Sequence, residues 1–293
     1  MGVEKNDKKS LAMIIMAMFI YGTIGVFRRY IPLSSAVLAC CRGIIGSAFL
    51  LVVVKITGRK FWYKISAKQV AGLVLTGAMI GINWILLFEA YNYTTVATAT
   101  LCYYMQPTIL IMVAPFVFKE RMTVKKLLCA ISAIIGMVFV SGFAEGGIPQ
   151  AAEGRGIVYG LGAAALYAAV IVMNKKLSGI DAYQKTIVEL FFASIILVPY
   201  LLTGTDNMSA NFDARAIIML LVVGLVHTGI AYALYFGSMD GLKTQSIALL
   251  SYIDPVTALI LSAVVLHEQL TMYGVIGAVM ILAAAIYGEL GNN

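Results

Sequence analysis

Residues 106–123 read QPTILIMVAPFVFKERMT, and residues 254–271 read DPVTALILSAVVLHEQLT. Each stretch sets a polar residue before a proline, runs on through apolar residues, and closes on a polar cluster containing Glu and Thr. Pro107, Glu120 and Thr123 recur 148 positions later as Pro255, Glu268 and Thr271, and Tyr104 recurs as Tyr252. The alignment of 104–140 on 252–288 needs no gap, and its non-aliphatic matches keep one spacing, Y-x-x-P-x12-E-x-x-T. The chain writes the same punctuation twice, which marks an internal repeat.

Composition sets the medium in which that repeat folds. Of 293 residues, 61% are hydrophobic and 12% are charged. Soluble domains carry about 25% charge, so this chain is solvated mainly by lipid. A spanning helix takes roughly 20 mostly apolar residues, and such runs fill almost the whole length. Ten are expected, at about 11–29, 34–55, 69–89, 95–118, 124–143, 156–175, 183–203, 214–236, 244–266 and 272–289. The fold class is therefore all-α integral membrane, with ten transmembrane helices. Five spans per repeat is an odd number, so the second half enters the membrane from the opposite side. Two inverted five-helix repeats are expected, over 1–146 and 147–293. Such repeats recur in secondary transporters, with a site at their interface near the bilayer midplane.

Charge placement gives the orientation. With the N-terminus in the cytoplasm, the cytoplasmic segments hold sixteen basic residues: Lys5, Lys8, Lys9, Lys55, Arg59, Lys60, Lys64, Lys68, Lys119, Arg121, Lys125, Lys126, Lys175, Lys176, Lys185 and Lys243. The outer segments hold Arg28, Arg29, Arg155 and Arg215, and Arg42 alone falls within a span. The positive-inside rule then places both termini in the cytoplasm. The expected location is the plasma membrane, the inner one in a bacterium. Cytoplasmic lysines and arginines account for the net charge of +7, which leaves no call for a nucleic-acid partner. The first apolar run is long enough to span and reads as an uncleaved helix. Cys40, Cys41, Cys102 and Cys129 lie inside apolar runs without metal-ligand spacing, as packing residues.

Enzyme signatures are missing. No G-x-x-x-x-G-K-[ST] phosphate loop and no G-x-S-x-G elbow occurs. His227 and His267 have no metal-binding partner at helical spacing, and Gly160-Leu-Gly162 lies in a membrane helix where no dinucleotide fold forms. The expectation is a non-enzyme without cofactor or metal.

The two halves and the P…E-x-x-T signature closing the fourth and ninth helices resemble the EamA-type branch of the drug/metabolite transporter superfamily. The resemblance covers essentially the whole chain. It implies a central cavity lined mainly by helices 1–4 and 6–9, with helices 5 and 10 peripheral. Similar proteins are mostly exporters of amino acids and other small metabolites, with some importers among them. The function expected is secondary-active export of a small polar metabolite such as an amino acid, by alternating access. An importer or facilitator of a small organic solute is the alternative, with a membrane-embedded enzyme behind it. The partners expected are that solute, the lipid bilayer and a coupling proton, for a monomer or a homodimer.

The candidate residues follow from polarity at depth. A proline within a helix removes one hydrogen bond and crowds the carbonyl four residues back, here those of Tyr103 and Ser251. Gln106 and Asp254 stand beside these breaks, about eleven residues into their helices and so near mid-membrane. Gln106 either caps a kink or touches ligand. A carboxyl at that depth is costly and usually functional, so Asp254 is the leading coupling residue. Arg42 either snorkels to the interface or holds an anionic group. Glu189 either pairs with a lysine or takes part in coupling, and His227 is either a buried neutral histidine or a proton relay. Aromatics complete the expected cavity: Tyr21 and Tyr167 at equivalent midpoints of the halves, Trp84 beside Asn83, and Tyr103, Tyr104 and Tyr252 before the prolines. A mid-span tyrosine needs a partner for its hydroxyl, which turns it inward. Glu120 and Glu268 are expected to tie helix ends, and Thr123 and Thr271 to cap the helices that follow.

Overall fold

The computed structural model describes residues 2–58, 65–119, 122–141, 151–177, 179–202, 213–239, 242, 247 and 250–289. Glu120, Arg59, Lys60, Lys64, Arg121 and Lys243 lie outside the described residues. Among those described, all regular structure is helical. The helices are α1 (Gly2–Arg29), α2 (Ser35–Ile56) and α3 (Ala67–Tyr93), then α4 (Val96–Tyr103) and α5 (Gln106–Phe118), which together make one broken span. Next come α6 (Val124–Val140), α7 (Ala151–Lys176), α8 (Ala182–Ile195) and the short α9 (Val198–Leu202). A π-helical segment, Val223–Ile230, joins α10 (Ala214–Val222) to α11 (Ala231–Met239). The described chain ends with α12 (Ile253–Val264) and α13 (Met272–Glu289).

Among the described residues, seven helical spans are long and apolar enough to cross a membrane, and two shorter apolar helices, Ile253–Val264 and Met272–Tyr287, follow them. Large apolar side chains face outward, Phe116 being 88% exposed. In water such a surface would drive association, whereas lipid solvates it.

Helix starts follow local chemistry. Ser34, Thr95, Asp181 and Asp213 each accept a backbone N–H of the first turn they precede, and Ser66 closes a capping box with Gln69. Thr123 and Thr271 do the same for α6 and α13, accepting from Lys126 N–H at 3.2 Å and Gly274 N–H at 3.0 Å.

The prolines act differently from the expectation of a kink. Pro107 falls in the first turn of α5, where a helix has no intrahelical bond for the missing N–H to lose. The carbonyl of Ser251, expected to be stranded by Pro255, accepts from Asp254 N–H at 3.3 Å. Each proline therefore opens a new helix beside a break in the span. The broken helices also end alike. Lys119 (φ 56°) and His267 (φ 54°) are the non-glycine residues with left-handed backbone among those described. They stand 148 positions apart, each one residue before the repeated glutamate.

Glu268 ties three helix ends together. Its carboxylate accepts the Val96 N–H at 2.9 and 3.1 Å, Nη2 of Arg29 at 3.0 Å, and the Ser262 hydroxyl. The N-terminus of α4 is thus capped by a residue 172 positions away, and the helix dipole adds to the attraction. On another flank α6 crosses α13 at two glycines. A Cβ added at Gly136 would lie 2.8 Å from the Gly277 carbonyl oxygen, so the backbones touch directly.

Candidate functional site

The two breaks open on one cavity of about 590 Å³. Tyr103, Tyr104, Gln106 and Pro107 line it from the first break, and Ser251, Tyr252 and Asp254 from the second. Tyr21 enters from α1, Arg42 from α2, Trp84 and Tyr91 from α3, Tyr167 and Lys175 from α7, and Tyr232 and Tyr235 from α11. Lys126 is the contribution of α6, and α13 contributes nothing. Eight tyrosines contribute to this wall. Tyr104 meets Tyr252, its repeat counterpart, at 6.5 Å between ring centroids, and Tyr103 meets Tyr167 at 5.7 Å.

Asp254 and Tyr104 close the wall between the breaks. The Tyr104 hydroxyl donates to Asp254 Oδ2 at 2.7 Å, so the first half supplies a donor to the only carboxyl on the cavity wall among the described residues. Gln106, which holds the matching position in the first half, also lines the cavity.

Arg42 turns inward. It is 4% exposed, its guanidinium carbon stands 4.1 Å from the Trp84 ring centroid, and Nε donates to Thr228 Oγ1 at 3.0 Å. Snorkelling is excluded by this geometry. Among the described residues no carboxylate pairs with it, the one ion pair being Arg29–Glu268. Nη1 and Nη2 make no hydrogen bond to described protein atoms, yet neither is a buried orphan, so both open on the cavity. A guanidinium stacked on indole, with two adjacent donors open, is suited to a planar anion. On the same wall the Tyr21 hydroxyl is without a hydrogen-bond partner among the described residues.

The remaining expected residues lie elsewhere. Asn83 does not line the cavity beside Trp84; its Nδ2 donates to the Ala163 carbonyl at 2.6 Å and ties α3 to α7. Glu189 is buried on α8 away from the wall, with Oε1 unpartnered and no lysine within ion-pair distance among the described residues. His227 is also off the wall. Its Nε2 lies 2.8 Å from the hydroxyl of Thr23, whose own proton goes to the Ile20 carbonyl at 2.7 Å. Both contacts are satisfied when Nε2 donates, and Nδ1 is buried without a hydrogen bond of normal geometry among the described residues.

Sequence reading did not single out Thr228, Tyr91, Thr100, Tyr232, Tyr235, Lys126 or Lys175. For Tyr232 and Tyr235 a signal existed in IAYALYF, where two tyrosines three apart share a helix face. For Thr228 there was none.

Comparison with known proteins agrees with this architecture. The model of the EamA-like transporter family matches the chain twice, over residues 8–142 and 154–287. The chain is 28% identical to "Uncharacterized transporter YxxF" of Bacillus subtilis, covering 95% of this chain and 89% of that protein. It is 23% identical to "Protein RarD" of Salmonella typhi, over 90% and 88%. A "Probable amino-acid metabolite efflux pump" of Salmonella typhimurium is 29% identical over 60% of this chain and 61% of its own length. A protein of known crystal structure shares the fold with a TM-score of 0.65 at 17% identity, over 97% of both chains.

Proposed function

The chain belongs to the EamA-like transporter family, and from that premise we propose that it is a secondary-active exporter of a small polar metabolite such as an amino acid. In this reading ten spans form two inverted five-helix repeats, 1–146 and 147–293, with both termini in the cytoplasm. The halves rock about the cavity and expose it to each side in turn. Tyr21, Arg42, Trp84, Tyr103, Tyr104, Gln106, Tyr167 and Tyr252 contact the solute, and Asp254 couples its movement to protons. Glu189 and His227 serve coupling from behind the wall.

One observation carries the reading. Two broken helices related by the repeat meet at a cavity that offers open guanidinium donors, a wall rich in tyrosine and, among the described residues, a single carboxyl. Such a site binds a small solute by its charges and encloses it in aromatic surface. Support for amino-acid export comes from the efflux-pump relative named above, and support for gradient coupling from a sequence without a nucleotide-binding loop.

The test is a thermal-shift screen of the purified protein against amino acids and related metabolites. The hits are then followed in proteoliposomes with an imposed pH gradient. Movement of a hit against its own gradient, abolished by a proton ionophore, is the expected result. Equilibration without accumulation makes the protein a facilitator. Failure of every hit to cross overturns the transport reading.

A further inference from the structure

We propose that Thr228 is a positioning residue that commits one edge of Arg42, so that the cavity presents its guanidinium end-on as a seat for a single carboxylate group. This rests on the reading of the cavity as a solute site.

A guanidinium carries five N–H donors in a rigid plane and can meet an anion either along its Nε–Nη side or end-on through Nη1 and Nη2. Here the choice is made by protein. Nε donates to Thr228 Oγ1 at 3.0 Å. The Thr228 hydroxyl spends its one proton on the Val223 carbonyl at 3.2 Å, which turns a lone pair toward Arg42. Both bonds are inside the protein, Thr228 being 0% exposed. The side-on edge is closed, and the end-on pair remains open to the cavity.

The direction of the Thr228 hydroxyl comes from the backbone. The carbonyl it reaches is five residues back, the acceptor register of a π-helix, whereas α-helical threonines bond three or four residues back. Packing holds this register against α2. A Cβ added at Gly46, one turn beyond Arg42, would lie 2.9 Å from the Thr228 Cβ. The glycine therefore provides the slot in which the threonine stands. An ordinary α-helical register would rotate Thr228 out of that slot and release Nε. Trp84 adds to this hold, its ring centroid lying 4.1 Å from the guanidinium carbon, within cation–π reach.

The experiment uses full-length protein in nanodiscs and proteoliposomes. With ¹⁵N-arginine labelling, the Arg42 Nε–H signal, identified by its loss in Arg42→Lys, exchanges slowly with water in the wild type and in Thr228→Ser. In Thr228→Val, which keeps the shape, and in Thr228→Ala, which remains informative if valine disturbs folding, exchange rises about tenfold or more. For the acid that the uptake screen finds, KM rises about tenfold in both hydroxyl-free variants with little change in kcat, and serine restores it. Each acid hit is paired with its primary amide, and the amide is expected to fail. Slow exchange and a wild-type KM in Thr228→Val and Thr228→Ala overturn the positioning role, and equal transport of acid and amide overturns the carboxylate seat. If Arg42→Ala transports normally, the solute reading of Arg42 itself falls. If Arg42→Ala is inactive while both Thr228 variants are wild type, only the present inference falls.

Discussion

The Tyr104 hydroxyl donates to the Asp254 carboxylate at 2.7 Å, across 150 positions of sequence and across the boundary between the repeats. A residue that precedes the first proline thus holds the residue that precedes the second. In the alternating-access mechanism proposed above, rocking of one half against the other would stretch or remake this bond.

Asp254→Asn keeps the shape and an acceptor for Tyr104 but removes titration. The expected outcome is a folded protein that binds and exchanges solute yet no longer accumulates it under a pH gradient. Normal accumulation by the asparagine variant removes Asp254 from coupling. Loss of folding instead makes the carboxylate a structural partner.

Arg42→Lys replaces a planar fork by a point charge. Its KM for the transported solute is expected to rise about tenfold, and that of Arg42→Ala further. Initial rates across a concentration series in proteoliposomes measure both, and unchanged kinetics in the alanine variant return Arg42 to a packing role.

Glu268→Ala strips Val96, Arg29 and Ser262 of a shared acceptor. A buried donor left without partner costs about 1–3 kcal/mol, so the melting temperature should fall by several degrees, at about 2–4 °C per kcal/mol. Glu268→Gln retains an acceptor for the Val96 N–H and should fall less. Scanning fluorimetry in detergent ranks the three proteins, and equal melting temperatures would show that the cluster contributes no stability.

The inverted topology predicts that residues 120 and 268 lie on opposite faces of the membrane. Single cysteines at these positions, in a background lacking Cys40, Cys41, Cys102 and Cys129, should react with an impermeant thiol reagent from opposite sides. Labelling of both from one side would sink the inverted repeat.

Much of the helical layout was legible because lipid imposes long apolar runs and leaves prolines and charges as punctuation. Pro107 and Pro255 marked the breaks correctly, although their effect is to start helices. Tyr21, Arg42, Trp84, Gln106 and Asp254 came to the cavity wall because polar or amphipathic groups at depth avoid lipid. Rotation about the helix axis was harder to read. Asn83 and Trp84 are neighbours in sequence, but one residue turns a helix by about 100°, and Asn83 meets the Ala163 carbonyl instead of the cavity. Thr228 was invisible for a related reason. The residue sequence contains no mark of the π-helical register in which it stands, packed against α2 at Gly46.

The hydrogen bonds from Val96 to Glu268 also bear on how the protein is made. They join positions 172 apart, so beyond its local Thr95 cap the Val96 N–H of α4 lacks this acceptor until nearly the whole chain has been translated. At elongation rates of about 5–20 residues per second, that interval lasts on the order of ten seconds or more. During it Arg29 keeps the Thr94 carbonyl as a partner within the first half but lacks the carboxylate of Glu268. The cluster at these helix ends is therefore completed only when the segment carrying Glu268 has been made.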